Sequence, residues 1–321
     1  MHCQNTIETT VRKAIHAAHT MIFRFGLFPF HADRLRINFA PKMNFRVGQS
    51  LRLVTITLLL FSCRKEQNPV QDTPPPPEPV KKVLLKDITI PHLPSPFYHF
   101  EYNSDSSVKK VDFASGFSIY DVLYKGDTIS EMRNNILVNQ DTLRYVYDNT
   151  GKLGLIKFIN NANVVYRLVN FFYDGKQVRE VEWDQKVDGG YLVDRTLTFS
   201  YYPDGNVKTI IEHRPGFDGS QEINDTTLFE HYEDKINVAD FSLLHDPFHD
   251  NLFLLQGFRL QKSNPGKETF LGGAGQISYT IDYTYTYNSD SAPSTKTGDF
   301  LYTAGPDSGK RSQVNTAYSY Y

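Results

Sequence analysis

Leu143-Arg144-Tyr145-Val146-Tyr147-Asp148-Asn149-Thr150-Gly151-Lys152-Leu153-Gly154-Leu155-Ile156-Lys157-Phe158 is the stretch whose pattern recurs along this 321-residue chain. Leu143, Tyr145 and Tyr147 alternate with Arg144 and Val146, a period of two that puts the larger apolar side chains on one face of a strand. At Asp148 to Gly151 the Asx side chains are able to bond the local backbone and glycine supplies positive φ, so a turn is expected there. A return strand then starts at Lys152, and the whole stretch is one β-hairpin.

Working outward, the unit repeats. Phe100 and Tyr102 lead into a polar turn, and Val108, Val111 and Phe113 leave it. Tyr120, Val122 and Tyr124 precede Gly126-Asp127, with Ile129 and Met132 after. Phe172-Tyr173 precede Asp174-Gly175, and Phe199, Tyr201 and Tyr202 precede Asp204-Gly205. An Asp-Gly pair between alternating strands is a strong hairpin signal and predicts a type I′ turn. Turn-leading tyrosines at 102, 124, 147, 173 and 202 are 22, 23, 26 and 29 residues apart. Such a period marks supersecondary units that bury their apolar faces against their neighbours. After residue 211 the rhythm breaks. A polar loop, a strand at Leu228 to Tyr232 and a non-repeating insertion over Asp240 to Gly266 follow, before a last hairpin whose strands start at Ile277 and Thr295. Leu252 to Phe258 within that insertion fits a short helix or an apolar plug equally well.

Composition agrees with strands. The chain has 20 Tyr and 23 Phe against 4 Met and 1 Trp, and aromatic residues favour a pleated, half-buried surface. Its net charge of -2 hides an asymmetry: residues 1–62 hold 8 basic and 2 acidic residues, and residues 63–321 hold 26 and 34. An acidic body excludes nucleic acid as the expected partner, because phosphate binding needs clustered Lys and Arg. Cys3 and Cys63 both precede the repeats, so no disulfide framework is expected in the repeat region.

The front of the chain reads as an export signal. Positive residues after Met43 precede an apolar core, Leu53 to Phe61, too short to span a bilayer. Residues 1–42 are expected to be a disordered, non-native upstream extension and residues 43–62 a signal peptide. Residues 63–82 form a Pro-rich tether, and 83–321 the hairpin repeat domain. Prolines 69, 74 to 77 and 79 favour polyproline II, and at ~3.1 Å per residue the tether reaches on the order of 50 Å.

Leu60-Phe61-Ser62-Cys63 resembles the lipobox of bacterial lipoproteins, which implies acylation of Cys63. Tyr147, Asp148, Gly151, Lys152 and Leu153 resemble the core of the YD, or RHS-type, repeat. Tyr173-Asp174-Gly175 and Tyr202-Pro203-Asp204-Gly205-Asn206-Val207 are looser copies. With the spacer, the Tyr232-Glu233-Asp234-Lys235 segment, the apolar insertion and Ser263-Asn264-Pro265, the arrangement is similar to Bacteroidota-type lipoproteins of domain-of-unknown-function family 4595. That resemblance implies an all-β antiparallel meander of hairpins forming one large twisted or wound sheet, in an outer-membrane lipoprotein of the cell envelope. It implies no catalytic residue.

Candidate chemistry is sparse. His245 and His249, four apart around Pro247, are weak metal ligands, better read as a polar loop. Glu180, Glu182 and Asp184 alternate with Val181 and Trp183; a glycoside hydrolase built on them is weaker than a solvated carboxylate face. Tyr283, Tyr285 and Tyr287 share one strand face and are candidate ligand-binding residues, for a glycan or an envelope protein, if that face is exposed. No Gly-x-Ser-x-Gly elbow, phosphate loop or His-Glu-x-x-His occurs. The leading expectation is a membrane-anchored, non-catalytic binding or structural protein without a cofactor, with a glycan-binding module as the alternative.

Overall fold

The computed structural model describes residues 83–135, 140–216, 221–238, 252–255 and 259–321. Cys63, the segments 1–42, 43–62 and 63–82, and the histidines 245 and 249 lie outside them. The first eight strands are β1 (Leu85–Thr89), β2 (Tyr98–Tyr102), β3 (Val108–Phe113), β4 (Ser118–Lys125), β5 (Thr128–Asn134), β6 (Thr142–Tyr147), β7 (Leu153–Ile159) and β8 (Val165–Asp174). The remainder are β9 (Gln177–Val187), β10 (Gly190–Tyr201), β11 (Val207–Arg214), β12 (Ile223–Glu230), β13 (Lys267–Leu271), β14 (Ile277–Tyr287), β15 (Pro293–Tyr302) and β16 (Arg311–Tyr320).

Each strand pairs antiparallel with its neighbours in the chain, and β1 pairs with β16 through Leu85↔Tyr320, Ile88↔Tyr318 and Thr89↔Ala317. The sheet is therefore a closed barrel, which corrects the expected open meander or wound sheet. The reason is physical: a sixteen-stranded sheet left open would expose the polar backbone of two edges, and pairing the first strand with the last removes both.

The repeat has a structural role that its spacing only hinted at. In each Tyr-bearing hairpin the register shifts by one residue at the tyrosine, as between Glu101 and Tyr102, Leu123 and Tyr124, Val146 and Tyr147, Phe172 and Tyr173, and Ser200 and Tyr201. A bulge of this kind re-aims the side chain at that position. The freed hydroxyl then donates to a backbone carbonyl of the preceding hairpin. Tyr102 donates to Leu85 at 2.7 Å, Tyr124 to Val108 at 2.9 Å, and Tyr147 to Ile129 at 2.9 Å. Tyr173 donates to Leu153 at 2.9 Å, Tyr201 to Val178 at 2.7 Å and Tyr232 to Val207 at 2.7 Å. Each accepting residue pairs with the tyrosine of its own hairpin: Val108 with Tyr102, Ile129 with Tyr124, Leu153 with Tyr147. The result is a ladder of tyrosines linking successive hairpins. Tyr320 donates to Pro293 at 2.6 Å and pairs with Leu85, carrying the ladder across the seam. Burial, reinforced by Tyr124, pushes the Tyr147 hydroxyl up to about 12, so it stays a donor at any physiological pH. The fifth rung is Tyr201 and not the turn-adjacent Tyr202, whose hydroxyl crosses to Phe229 O at 3.0 Å.

Turn chemistry follows the sequence closely. Asp148 Oδ1 accepts from Thr150 N, Thr150 Oγ1 and Lys152 N at 2.8, 2.7 and 2.9 Å. Those bonds, the Thr150 hydroxyl foremost, hold its carboxyl below the usual range. Gly151 sits at φ +83°, where a Cβ would be strained. The turn at Asp174-Gly175 is not the expected type I′. Asp174 pairs with Gln177, and of the two central residues Gly175 has positive φ and Lys176 does not, which is the glycine-first pattern of a II′ turn.

The core lies inside the barrel. Phe100, Val111, Phe113, Tyr120, Met132, Leu143, Ile156, Phe158, Val169, Val181 and Trp183 are all fully buried. Of the two readings of Leu252 to Phe258, the described part is a plug. Phe253, also fully buried, sets its ring 6.2 Å from Phe158, 6.4 Å from Phe171 and 6.4 Å from Trp183. Tyr145 donates to Leu254 O at 2.9 Å, which satisfies that buried carbonyl of the plug. Its stem docks on the fifth turn, where Asn206 Oδ1 accepts from Lys262 N and Ser263 N at 2.8 and 2.9 Å.

Candidate functional site

The strip of tyrosines on β14 faces inward. Along it Ile281, Tyr283, Tyr285 and Tyr287 are buried or half-buried, whereas Asp282, Thr284 and Thr286 between them are exposed. Tyr283 and Tyr285 form one wall of a partly enclosed cavity of about 90 Å³, and Tyr287 stacks on Tyr285 at 6.2 Å. Strand pairing fixes who meets whom: Tyr283 lies opposite Gly298, Tyr285 opposite Lys296, and Glu268 between Phe229 and Ile281. Gly298 leaves room for Ile281 and Tyr283: a Cβ there would stand 3.0 Å from Ile281 Cγ2 and 3.1 Å from Tyr283 Cε1, so those side chains would have to give way.

The cavity's charges centre on Tyr283. Its hydroxyl donates to Glu268 Oε2 at 2.8 Å, and Lys296 Nζ sits 5.2 Å from its ring centroid. Burial pushes the Glu268 carboxyl up, partly offset by the Tyr283 hydroxyl and Lys296. Burial also pushes the Tyr283 hydroxyl well above its usual value, so it remains a proton donor. Glu268 and Tyr283 are half-buried, and both line the cavity.

The plug's stem supplies the amides. Asn237 Nδ2 donates to Gln261 Oε1 at 3.0 Å, and Asn264 Nδ2 reaches Tyr287 Oη at 3.1 Å. Gln261 is buried and lines the cavity, and its Nε2 closes no hydrogen bond of acceptable geometry. The nearby Tyr232 hydroxyl feels that amide electrostatically but gives its own proton to Val207 O. Tyr285 likewise gives its proton to Pro265 O, at 2.9 Å. Glu268, Gln261 and Lys296 were not singled out from the sequence. The signal available was the inward register of Glu268 opposite Ile281, and it depends on pairing that a five-residue strand does not announce.

A second polar cluster lies on the inner face of β10 to β12. Arg195 spans Glu212 with Nε at 3.0 Å and Nη2 at 3.4 Å, its guanidinium 4.7 Å from the Trp183 ring centroid; Arg214 pairs with the same Glu212. Burial, then the Glu212 charge, pushes Asp225 up to about 6 against the opposing pull of Arg214. Arg167, also buried, pairs with Asp194 at 2.9 Å.

The remaining candidates are scattered. Glu180, Glu182 and Asp184 stand on the outer face of β9, opposite the inward Val181 and Trp183. Burial and the neighbouring Asp184 and Glu180 push the Glu182 carboxyl up, and Asn170 Nδ2 donates to Asp184 at 2.7 Å. Among the described residues no group of three His, Cys, Asp or Glu side chains is placed to hold a metal ion.

No protein-family model matches the chain, so the resemblance to domain-of-unknown-function family 4595 and to YD repeats rests on the quoted residues, and no curated protein matches either. Among solved structures the chain is similar to a porin-like protein from Bacteroides uniformis, with a TM-score of 0.53 and 11% identity over 76% of this chain and 99% of that one. It is similar also to a porin-like protein from Bacteroides vulgatus, with a TM-score of 0.50 and 14% identity over 75% of this chain and 99% of that one. At such identities the likeness is one of fold: the chain shares a closed β-barrel with these two proteins.

Proposed function

We propose that this protein is a non-catalytic envelope lipoprotein whose barrel stands in water beside the membrane, held there by an acylated Cys63 and the residues 63–82 tether. The observation that carries it is the direction of the strand alternation. A barrel that spans a bilayer turns an apolar band outward and a polar face inward. On β9, β14 and β15 the outer face is polar instead. The outer face of β14 and β15 carries Thr284, Thr286, Asp282, Asp299, Thr297 and Thr295, and that of β9 carries Glu180, Glu182 and Asp184. Trp183, Phe158, Phe171 and the plug residue Phe253 fill the inside of β7 to β9, where a porin would hold water. The two porin-like neighbours come from Bacteroides, which agrees with an envelope setting.

Cell fractionation of the full chain tests this. Wild-type protein is expected in the membrane fraction and to incorporate a labelled fatty acid, while Cys63→Ser is expected in the soluble fraction. Recovery of Cys63→Ser in carbonate-washed membranes, or channel conductance by the purified protein in a planar bilayer, would sink the proposal.

A further inference from the structure

We infer that the cavity between β12–β16 and the plug's stem is a binding site for a neutral, hydroxyl-rich ring of the size of a single sugar residue. The inference stands on the cavity itself and holds whether or not Cys63 is acylated.

The lining combines two materials. Phe229, Pro265, Tyr283, Tyr285 and Tyr318 give aromatic and apolar wall, and Glu268, Gln261, Asn237, Asn264 and Lys296 give polar groups. A pyranose presents C–H faces that lie against aromatic rings and hydroxyls, each donor and acceptor at once, that match carboxylates and amides. The space of about 90 Å³ is far above the 10–15 Å³ that one water needs.

The charges argue for a neutral occupant. Glu268 Oε2 accepts a hydrogen bond from the Tyr283 hydroxyl at 2.8 Å and Lys296 Nζ lies 5.2 Å from the same ring, so carboxyl and ammonium are already set on either side of one side chain. What the fold leaves unmet is a neutral donor. The buried Gln261 Nε2 has only the Tyr232 hydroxyl oxygen near it and closes no hydrogen bond of good geometry, and a buried donor left unmade costs about 1–3 kcal/mol. A ligand hydroxyl oxygen satisfies it without bringing an ion. An inorganic anion would be placed against Glu268, and an ammonium group against Lys296, both of which line the cavity.

The experiment is calorimetric titration of the full chain with a panel of methyl glycosides, with glycine and inorganic phosphate as ionic comparators. At least one glycoside is expected to bind. Gln261→Met keeps the side-chain length and removes the donor, and it is expected to weaken that glycoside about tenfold, the worth of one buried hydrogen bond. Lys296→Met provides a second reading from the opposite wall and is expected to weaken it as well. Glu182→Gln, on the outer face of β9, is expected to leave the affinity unchanged. Binding of no glycoside, a preference for glycine or phosphate, or glycoside binding insensitive to both Gln261→Met and Lys296→Met overturns the inference.

Discussion

From β2 to β9 the inward positions are held by Phe100, Phe113, Tyr120, Met132, Phe158 and Trp183, all buried beneath a plug that adds Phe253. From β11 to β16 the corresponding positions are held by Glu212, Asp225, Glu268, Tyr279, Tyr283 and Lys296, and a cavity remains. Both walls belong to one antiparallel barrel, so the difference is one of side chains and not of topology. The regular hairpins supply the packing that holds the barrel shut, and the irregular ones carry the polar groups that a packed core excludes.

The largest expected break in that contrast is Phe253→Ala. Losing a ring that touches Phe158, Phe171 and Trp183 is expected to cost about 3–5 kcal/mol in denaturant unfolding. Tyr285→Ala, whose ring already borders empty space, is expected to cost less. Equal losses at the two sites would mean that the walls are equally packed.

A smaller effect distinguishes the polar wall by its response to pH. Asp225 has its folded-state value raised to about 6 from an ordinary 3.8. The fold therefore favours its protonated form. Its contribution to stability is full below pH 4 and is lost as pH rises through 6. After discounting for its partial exposure this amounts to about 1 kcal/mol. Asp225→Asn is expected to flatten the stability curve between pH 4 and 6, and an unchanged slope would remove Asp225 as its source. The paired outer carboxylates move the other way. Glu131, whose burial is outweighed by bonds from Arg133 and Arg144, is held below its ordinary 4.5 and loses its contribution as pH falls from there.

The tyrosine ladder tests the packed wall one bond at a time. Tyr147→Phe keeps the ring and removes the hydrogen bond to Ile129 O, for an expected loss of about 1 kcal/mol in the same unfolding assay. The smallest change belongs to the outer face, where Glu182→Gln is expected to move stability by less than about 0.5 kcal/mol.

The packed wall was the part most legible in the chain. Alternation in Leu143, Tyr145 and Tyr147, with Asp148 and Gly151 after, encodes strand, bulge and turn within sixteen residues, and local chemistry decides all three. Closure was not legible, because Leu85 and Tyr320 meet only in space and β16 reads Arg-Ser-Gln-Val-Asn-Thr-Ala-Tyr-Ser-Tyr, with little apolar alternation to mark it as a strand. Period-two spacing placed Tyr283, Tyr285 and Tyr287 on one face without saying which face is inside. That depends on Glu268 and Lys296 in the neighbouring strands. Tyr201 and Tyr202 show the same limit at the scale of one residue, since the bulge decides which of them joins the ladder.

The seam between β1 and β16 sets a timetable for the newborn chain. Leu85 emerges with its eventual partner Tyr320 still 235 residues from synthesis, which at about 5–20 residues per second is a wait on the order of ten to fifty seconds. Throughout that interval one margin of the growing sheet offers bare amides and carbonyls to any passing extended polypeptide. A barrel shut by its first and last strands leaves that margin open for longer than a repeat array of equal length would, because each unit of an array pairs with the one made just before it.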